Sequence, residues 1–259
     1  MLSPLQIRRC LKTVSASSLF YLALTALEDG KSFSIVRMAD GEKHLYDLIL
    51  NNPPETHLLP EIKDAAKWLD EKWLKKMGLY NITLGELKLR MDYAVTRAMF
   101  FAPSPTGFVQ PWYDVYDFWP EPSYYGEHFF NCSWDYDLKK LLFKQAGHVL
   151  CIHHNVSTAD SMQLRVQANL GVKVSWIHLD NWTQTNDVIR KAKTSTAPLV
   201  LFSGGPSSKM IGPAVADSGK VVLDIGNQMD KWTFSHLPID RDAANKFHRE
   251  WAKTNHQWA

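Results

Sequence analysis

From residue 148 to residue 225 the chain alternates short apolar runs with amphipathic ones, and this alternation limits the fold more than any other feature. The expected order is strand His148–His153, helix Thr158–Asn169, strand Val172–Ile177, helix Gln184–Lys193, strand Leu199–Ser203, helix Ser207–Asp217 and strand Lys220–Ile225. Apolar runs of this length, rich in β-branched and aliphatic residues, read as strands buried on both faces. Each intervening helix is long enough to form a crossover, and crossovers between parallel strands are right-handed. The strands therefore lie parallel in one sheet with helices on both faces. In such a sheet, ligands bind beyond the carboxyl ends of the strands.

One such end lies early in the chain. Phe33-Ser34-Ile35-Val36-Arg37 reads as an apolar strand that ends at Arg37 and breaks at Asp40-Gly41. A helix then opens at Glu42, with Leu45, Leu48 and Ile49 at helical spacing. Two carboxylates flanking a glycine at a strand end can share a magnesium or manganese ion, which takes one or two protein oxygens and completes its shell with water and phosphate. Arg37 offers a planar fork suited to phosphate. The plainer reading is a turn followed by an acidic helix start. On the tripeptide alone, that plainer reading is the stronger.

The late stretches change the balance. After the run Pro198–Ser203 come Gly204-Gly205-Pro206-Ser207-Ser208-Lys209. The glycines would let backbone approach a ligand, and Pro206 suits a helix start. The amides and hydroxyls of Ser207 and Ser208, with the helix dipole, would suit a diphosphate, and Lys209 would add counter-charge. Asp224, closing the last strand, reads as a partner of a donor hydroxyl or as support for another group. The pattern is neither a P-loop nor a GxGxxG fingerprint, which argues against an ATPase and an ordinary dehydrogenase. His153 and His154 point in opposite directions from an extended backbone and make a poor metal site. Asp160 reads as a helix-dipole partner.

Together, Arg37 with Asp40-Gly41-Glu42, Gly204 to Lys209, and Gly219 to Asn227 resemble the glycosyltransferases of the GT-D fold, over roughly residues 15–50 and 145–230. The resemblance implies an α/β, Rossmann-like, mostly parallel sheet. It implies an Asp-x-Glu motif, Asp40 and Glu42, that binds Mn2+ or Mg2+ and serves catalysis. The implied donor is a nucleoside-diphosphate sugar, with a UDP-sugar expected, contacted by Arg37, Gly205, Pro206, Ser207, Ser208, Lys209, Asp224 and Asn227. That family often has His where this chain has Asn227; Asn keeps an oxygen but lacks the imidazole. The implied acceptor is a hydroxyl on a glycan or glycoprotein. Two other readings stay open. Hydroxymethylated bases in viral DNA would suit the lysines at 63, 67, 72, 75 and 76 and an aromatic-rich middle. A nucleotide-binding module without turnover would share the pocket.

At 259 residues the chain suits a single domain. Helices are expected at 4–13, 16–28, 60–77, from Thr83 or Leu84 to Met99, and from Asp240 to Trp251. About 101–135 the sequence turns irregular, with five prolines and many aromatics, and reads as a lid facing the acceptor or as a cluster packed over the sheet. A net charge of +2 gives no field that predicts nucleic-acid binding. Cys10, Cys132 and Cys151 lack the spacing of a disulfide framework or a zinc site, so a reducing cytoplasm is expected, the host's for a viral protein. The apolar run from Ser18 to Leu27 is too short to span a membrane.

Overall fold

Among the described residues, eight strands, all paired in parallel, form one sheet in the order β1-β4-β3-β2-β8-β7-β5-β6. They are β1 (Thr13–Val14), β2 (Phe33–Met38), β3 (Phe100–Pro103), β4 (Tyr125–Gly126), β5 (His148–His153), β6 (Lys173–His178), β7 (Leu199–Ser203) and β8 (Val221–Asp224). A computed structural model describes residues 12–58, 71–104, 119–153 and 159–232.

The pleat sorts each strand's side chains to two buried faces, as a sheet covered on both sides requires. Leu199 and Leu201 join one cluster with Ile35, Val149, Cys151 and Leu223. Val200 and Phe202 join the opposite one with Leu150, Ile152, Ile211 and Val222. Every one of these side chains is buried. Full burial of an aliphatic or Phe side chain contributes roughly 1.5–3 kcal/mol.

The helices that cover these faces begin and end where local chemistry dictates. Helix α1 (Ala16–Glu28) is capped by the Ser15 hydroxyl, which accepts from the Ser18 amide, and it buries Ala16, Leu19, Phe20, Ala23 and Ala26 on one stripe. Helix α2 is Asp40–Asn51, α3 is Glu71–Lys76 and α4 is Leu84–Arg97. Thr83 caps α4 by accepting from the Glu86 amide, while the Glu86 carboxylate turns to Arg90. After α5 (Phe130–Ser133), α6 (Tyr136–Ala146) is capped by Asp135 and stopped by Gly147 in the left-handed region. The remaining helices are α7 (Ala159–Leu170), α8 (Thr185–Thr194), α9 (Ile211–Ala216) and α10 (Met229–Trp232).

The regular late half follows the expected order to within a residue or two, with one change. The span 207–217 is a 3-10 turn (Pro206–Ser208) followed by the separate short helix α9. Asp40-Gly41 is no turn: it forms the first two residues of α2. Thr13 belongs to a strand and not to the expected helix at 4–13. The irregular middle hides β3 and β4, which the aliphatic-run criterion passes over because β3 reads Phe-Phe-Ala-Pro and β4 has two residues. Within it, Trp119 and Tyr125 pack into the core beside Phe101, and Trp119 also stacks on Tyr46. Trp112, Tyr113 and Tyr116, the helix expected at Asp240–Trp251, Lys63 and Lys67 lie outside the described residues. Among the described residues no helix is long and apolar enough to cross a membrane.

Candidate active site

Four of the stretches singled out in the sequence follow β2, β8, β7 and β5, which are consecutive neighbours in the sheet. Arg37 lies within β2, and Glu42 on the first turn of α2. Asp224 is the last residue of β8, Lys209 follows the turn after β7, and His153 ends β5.

Lys209 is the hinge of the arrangement. Its buried ammonium lies 2.6 Å from Asp224 Oδ2 and 3.4 Å from Glu42 Oε1. The acidic turn near the start of the chain and the glycine-serine bend near its end are thus joined by one cation. Burial pulls the Lys209 pKa down, but Asp224 and Glu42 outweigh it and hold the pKa above the ordinary lysine value. Glu42 also closes back on its helix, where Oε2 accepts from the Ala39 amide at 3.0 Å. Asp224 is engaged on both oxygens: Oδ2 also accepts from the Arg37 amide at 3.0 Å, and Oδ1 accepts from the Gly226 amide at 3.0 Å.

Arg37 is half-buried and held from one side by a residue that no sequence pattern indicates. Its Nε donates to the His128 carbonyl at 2.9 Å, and its Nη2 lies 2.8 Å from His128 Nε2. His128 Nδ1 lies 2.9 Å from the carbonyl of Ala102. A carbonyl only accepts and a guanidinium only donates, so the proton sits on Nδ1 and the imidazole is neutral. Burial first, and then the Arg37 charge, push the His128 pKa down to about 3. Gly226 makes the close packing feasible: it sits at φ +56°, and a Cβ there would stand 2.1 Å from Arg37 Nη1.

The bend after β7 serves the fold as well as the site. Gly205 has φ +77°, and a Cβ on it would meet the Met77 carbonyl at 2.8 Å. A Cβ on Gly204 would stand 2.6 Å from Leu179 Cδ2. These glycines therefore admit neighbouring chain, which is a different need from the expected approach to a ligand. Pro206, Ser207 and Ser208 are buried, and the Ser208 hydroxyl donates to the Gly205 carbonyl at 2.7 Å. Lys209 is turned inward to carboxylates and away from solvent. Arg90, buried and without any motif to mark it in the sequence, reaches the Trp182 carbonyl at 3.3 Å with its guanidinium over the Trp182 ring. Asn227 is exposed, and its Oδ1 accepts from Gln228 at 2.7 Å. His154 and Asn155 lie outside the described residues, and Lys75 pairs with Glu71.

Among the described residues no group of three or more His, Cys, Asp or Glu is clustered as for a metal ion. A cation delivered with a phosphate needs fewer protein ligands, and the donors present fit that case. Glu42 Oε1 stands 3.4 Å from the ammonium, longer than the roughly 2.7–2.9 Å of a tight charge-assisted bond, so this oxygen keeps capacity. Asp40 opens the same turn. Asp224 is 1% exposed and already takes three donors on its two oxygens, which makes it a poorer ligand than Glu42.

No family model matches the chain, and no curated protein matches it either. Solved structures do. One, of the domain of unknown function 1792 in selenomethionine form, is 13% identical with a TM-score of 0.52, over 87% of this chain and 81% of that one. A second, described as showing that this highly conserved domain has a distinct glycosyltransferase fold, is 13% identical with a TM-score of 0.51 over the same shares. A third, described as a new glycosyltransferase from Streptococcus sanguinis, is 14% identical with a TM-score of 0.50, over 83% of this chain and 81% of that one. With its sheet, its helices and the span of the match, the chain carries the distinct glycosyltransferase fold described for domain of unknown function 1792.

Proposed function

We propose that this protein is a glycosyltransferase that moves a sugar from a nucleoside-diphosphate sugar, a UDP-sugar in the first instance, to a hydroxyl of a glycan or glycoprotein. The observation that carries the proposal is the Lys209 link between Glu42 and Asp224 at the carboxyl ends of β2, β7 and β8, within a fold described for glycosyltransferases.

Charge decides the role of the metal. Arg37 and Lys209 cancel Glu42 and Asp224, so these four groups alone offer no surplus to a diphosphate. Asp40 and Glu42 would hold Mn2+ or Mg2+ brought with the donor, and the ion would supply positive charge against that of the departing nucleoside diphosphate. Arg37 presents its remaining N–H groups to the phosphates and stabilises the same developing charge. Lys209 keeps the Asp224 and Glu42 carboxylates side by side without repulsion. Asp224 anchors the Arg37 backbone and the Gly226 turn, so the two sides of the pocket keep their spacing. Glu42 and Asp40 would also be the catalytic carboxylates, with the proton of the acceptor hydroxyl passing to a carboxylate oxygen of this pair.

A thermal-shift panel of nucleotide sugars with and without Mn2+ tests the reading, since a ligand bound only by the native state raises the melting temperature. A metal-dependent shift with one nucleotide, followed by release of that nucleoside diphosphate on adding acceptor, is expected. Shifts without turnover on any glycan would leave a nucleotide-binding module, and no shift with any nucleotide would remove the proposal.

A further inference from the structure

We infer that His128, which belongs to no motif in the sequence, is the positioning residue that sets the direction of the Arg37 guanidinium at the site. What Arg37 faces rests on the function proposed above; the hold of His128 on Arg37 does not.

The geometry forms a chain of fixed choices. Arg37 and Ala102 are register partners on β2 and β3, so the Ala102 carbonyl sits beside the root of the Arg37 side chain. That carbonyl fixes the His128 proton on Nδ1 and leaves Nε2 with a lone pair. Nε2 then takes Arg37 Nη2, and the His128 carbonyl takes Arg37 Nε. One residue thus occupies two of the guanidinium's five donors along one edge. The Gly226 backbone packs beside Nη1, so close that a Cβ there would stand 2.1 Å from it. An arginine otherwise surrenders considerable rotamer freedom when it binds an anion, and holding it beforehand lowers that cost. The imidazole must be uncharged to do this, since an imidazolium has no acceptor and would repel Arg37.

Two substitutions separate this role from mere packing. His128→Gln keeps an acceptor where Nε2 lies, while His128→Asn keeps the donor to Ala102 and loses that acceptor. The probe is UDP with Mn2+, measured by calorimetry, alongside NMR of the His128 ring nitrogens and of solvent exchange at Arg37 Nε–H. The wild-type ring is expected to show the Nδ1–H tautomer. His128→Asn should weaken UDP about tenfold and speed the Arg37 exchange, whereas His128→Gln should hold affinity within about threefold. In an Arg37→Ala background, His128→Asn should add nothing to the loss of affinity. An Nε2–H tautomer, equal effects of the two variants, or a further loss in the Arg37→Ala background would overturn the inference. If wild-type protein ignores UDP, the proposed function falls, while the tautomer and the Arg37 exchange still decide the role of His128. If the variants melt below the working temperature, those two wild-type measurements decide it alone: Nδ1–H with slow exchange upholds the inference, and Nε2–H or fast exchange overturns it.

Discussion

Replacing Lys209 with Met removes the charge that pairs with both Asp224 and Glu42 while keeping the volume of the side chain. The lysine side chain is 7% exposed, and its carboxylate neighbours are 1% and 9% exposed. Removing one partner of a buried ion pair costs about 3–5 kcal/mol, because the charge left behind is uncompensated. Asp224 keeps the amides of Arg37 and Gly226 as donors, which places the expectation near the lower end. At roughly 2–4 °C per kcal/mol for a chain of this size, the melting temperature should fall by about 6–12 °C. A domain's total stability of about 5–15 kcal/mol leaves room for the variant to fold. The dependence on pH is more specific. In the wild type, the Lys209 pKa is raised in the folded state, so its contribution is complete below the ordinary lysine value and is lost only as pH rises through the raised one. The wild type should therefore show no loss from this group across neutral pH. Urea unfolding followed by tryptophan fluorescence at neutral pH should show the deficit directly. A loss under about 1 kcal/mol would refute the reasoning.

Other perturbations reach different parts of the site. Glu42→Gln keeps an acceptor for the Ala39 amide but turns an NH2 to Lys209, which Asp224 still pairs, so it should fold with some loss of stability while transfer drops about 100-fold in a nucleotide-release assay; near-normal turnover removes Glu42 from the chemistry. Gly226→Ala forces a methyl against Arg37 Nη1 at a positive φ, so about 1–3 kcal/mol of stability and much of the UDP affinity should be lost together. Unchanged melting and affinity would show that Arg37 is free to move. Burial pushes the Cys151 thiol up to about 12, whereas Cys132 is exposed. Alkylation of native protein at neutral pH should label Cys132 and spare Cys151, read by peptide mass; prompt labelling of Cys151 would mean that β5 opens.

The parallel sheet was legible because β5 to β8 are written in apolar residues and the helices between them in amphipathic ones. The carboxyl-end rule then located Arg37, Glu42, Lys209 and Asp224 in one place, a convergence that needs only topology. The detail was not legible. Lys209 turns inward because two buried carboxylates outweigh the solvent it leaves, a balance that depends on distances of 2.6 and 3.4 Å. His128 and Arg90 carry no periodic signal: one lies between a two-residue strand and a four-residue helix, and the other looks like any helical arginine. β3 and β4 stayed hidden because such short strands gain their stability from neighbours in the sheet and not from their own composition. Nothing in the residues around Gly204 and Gly205 shows that a Cβ on them would meet Leu179 and Met77.

The place of β8 sets a timetable for synthesis. It is the wedge between β2 and β7, so until Val221 to Asp224 leave the ribosome the earlier strands form two unjoined groups, each with an unpaired edge. A nascent chain holding β1 to β7 therefore owns most of its hydrophobic interior but lacks the carboxylate on which Lys209 settles. The Lys209–Asp224 link should therefore form only after that four-residue strand has emerged. Stalled chains released just before and just after that strand should differ sharply in resistance to protease.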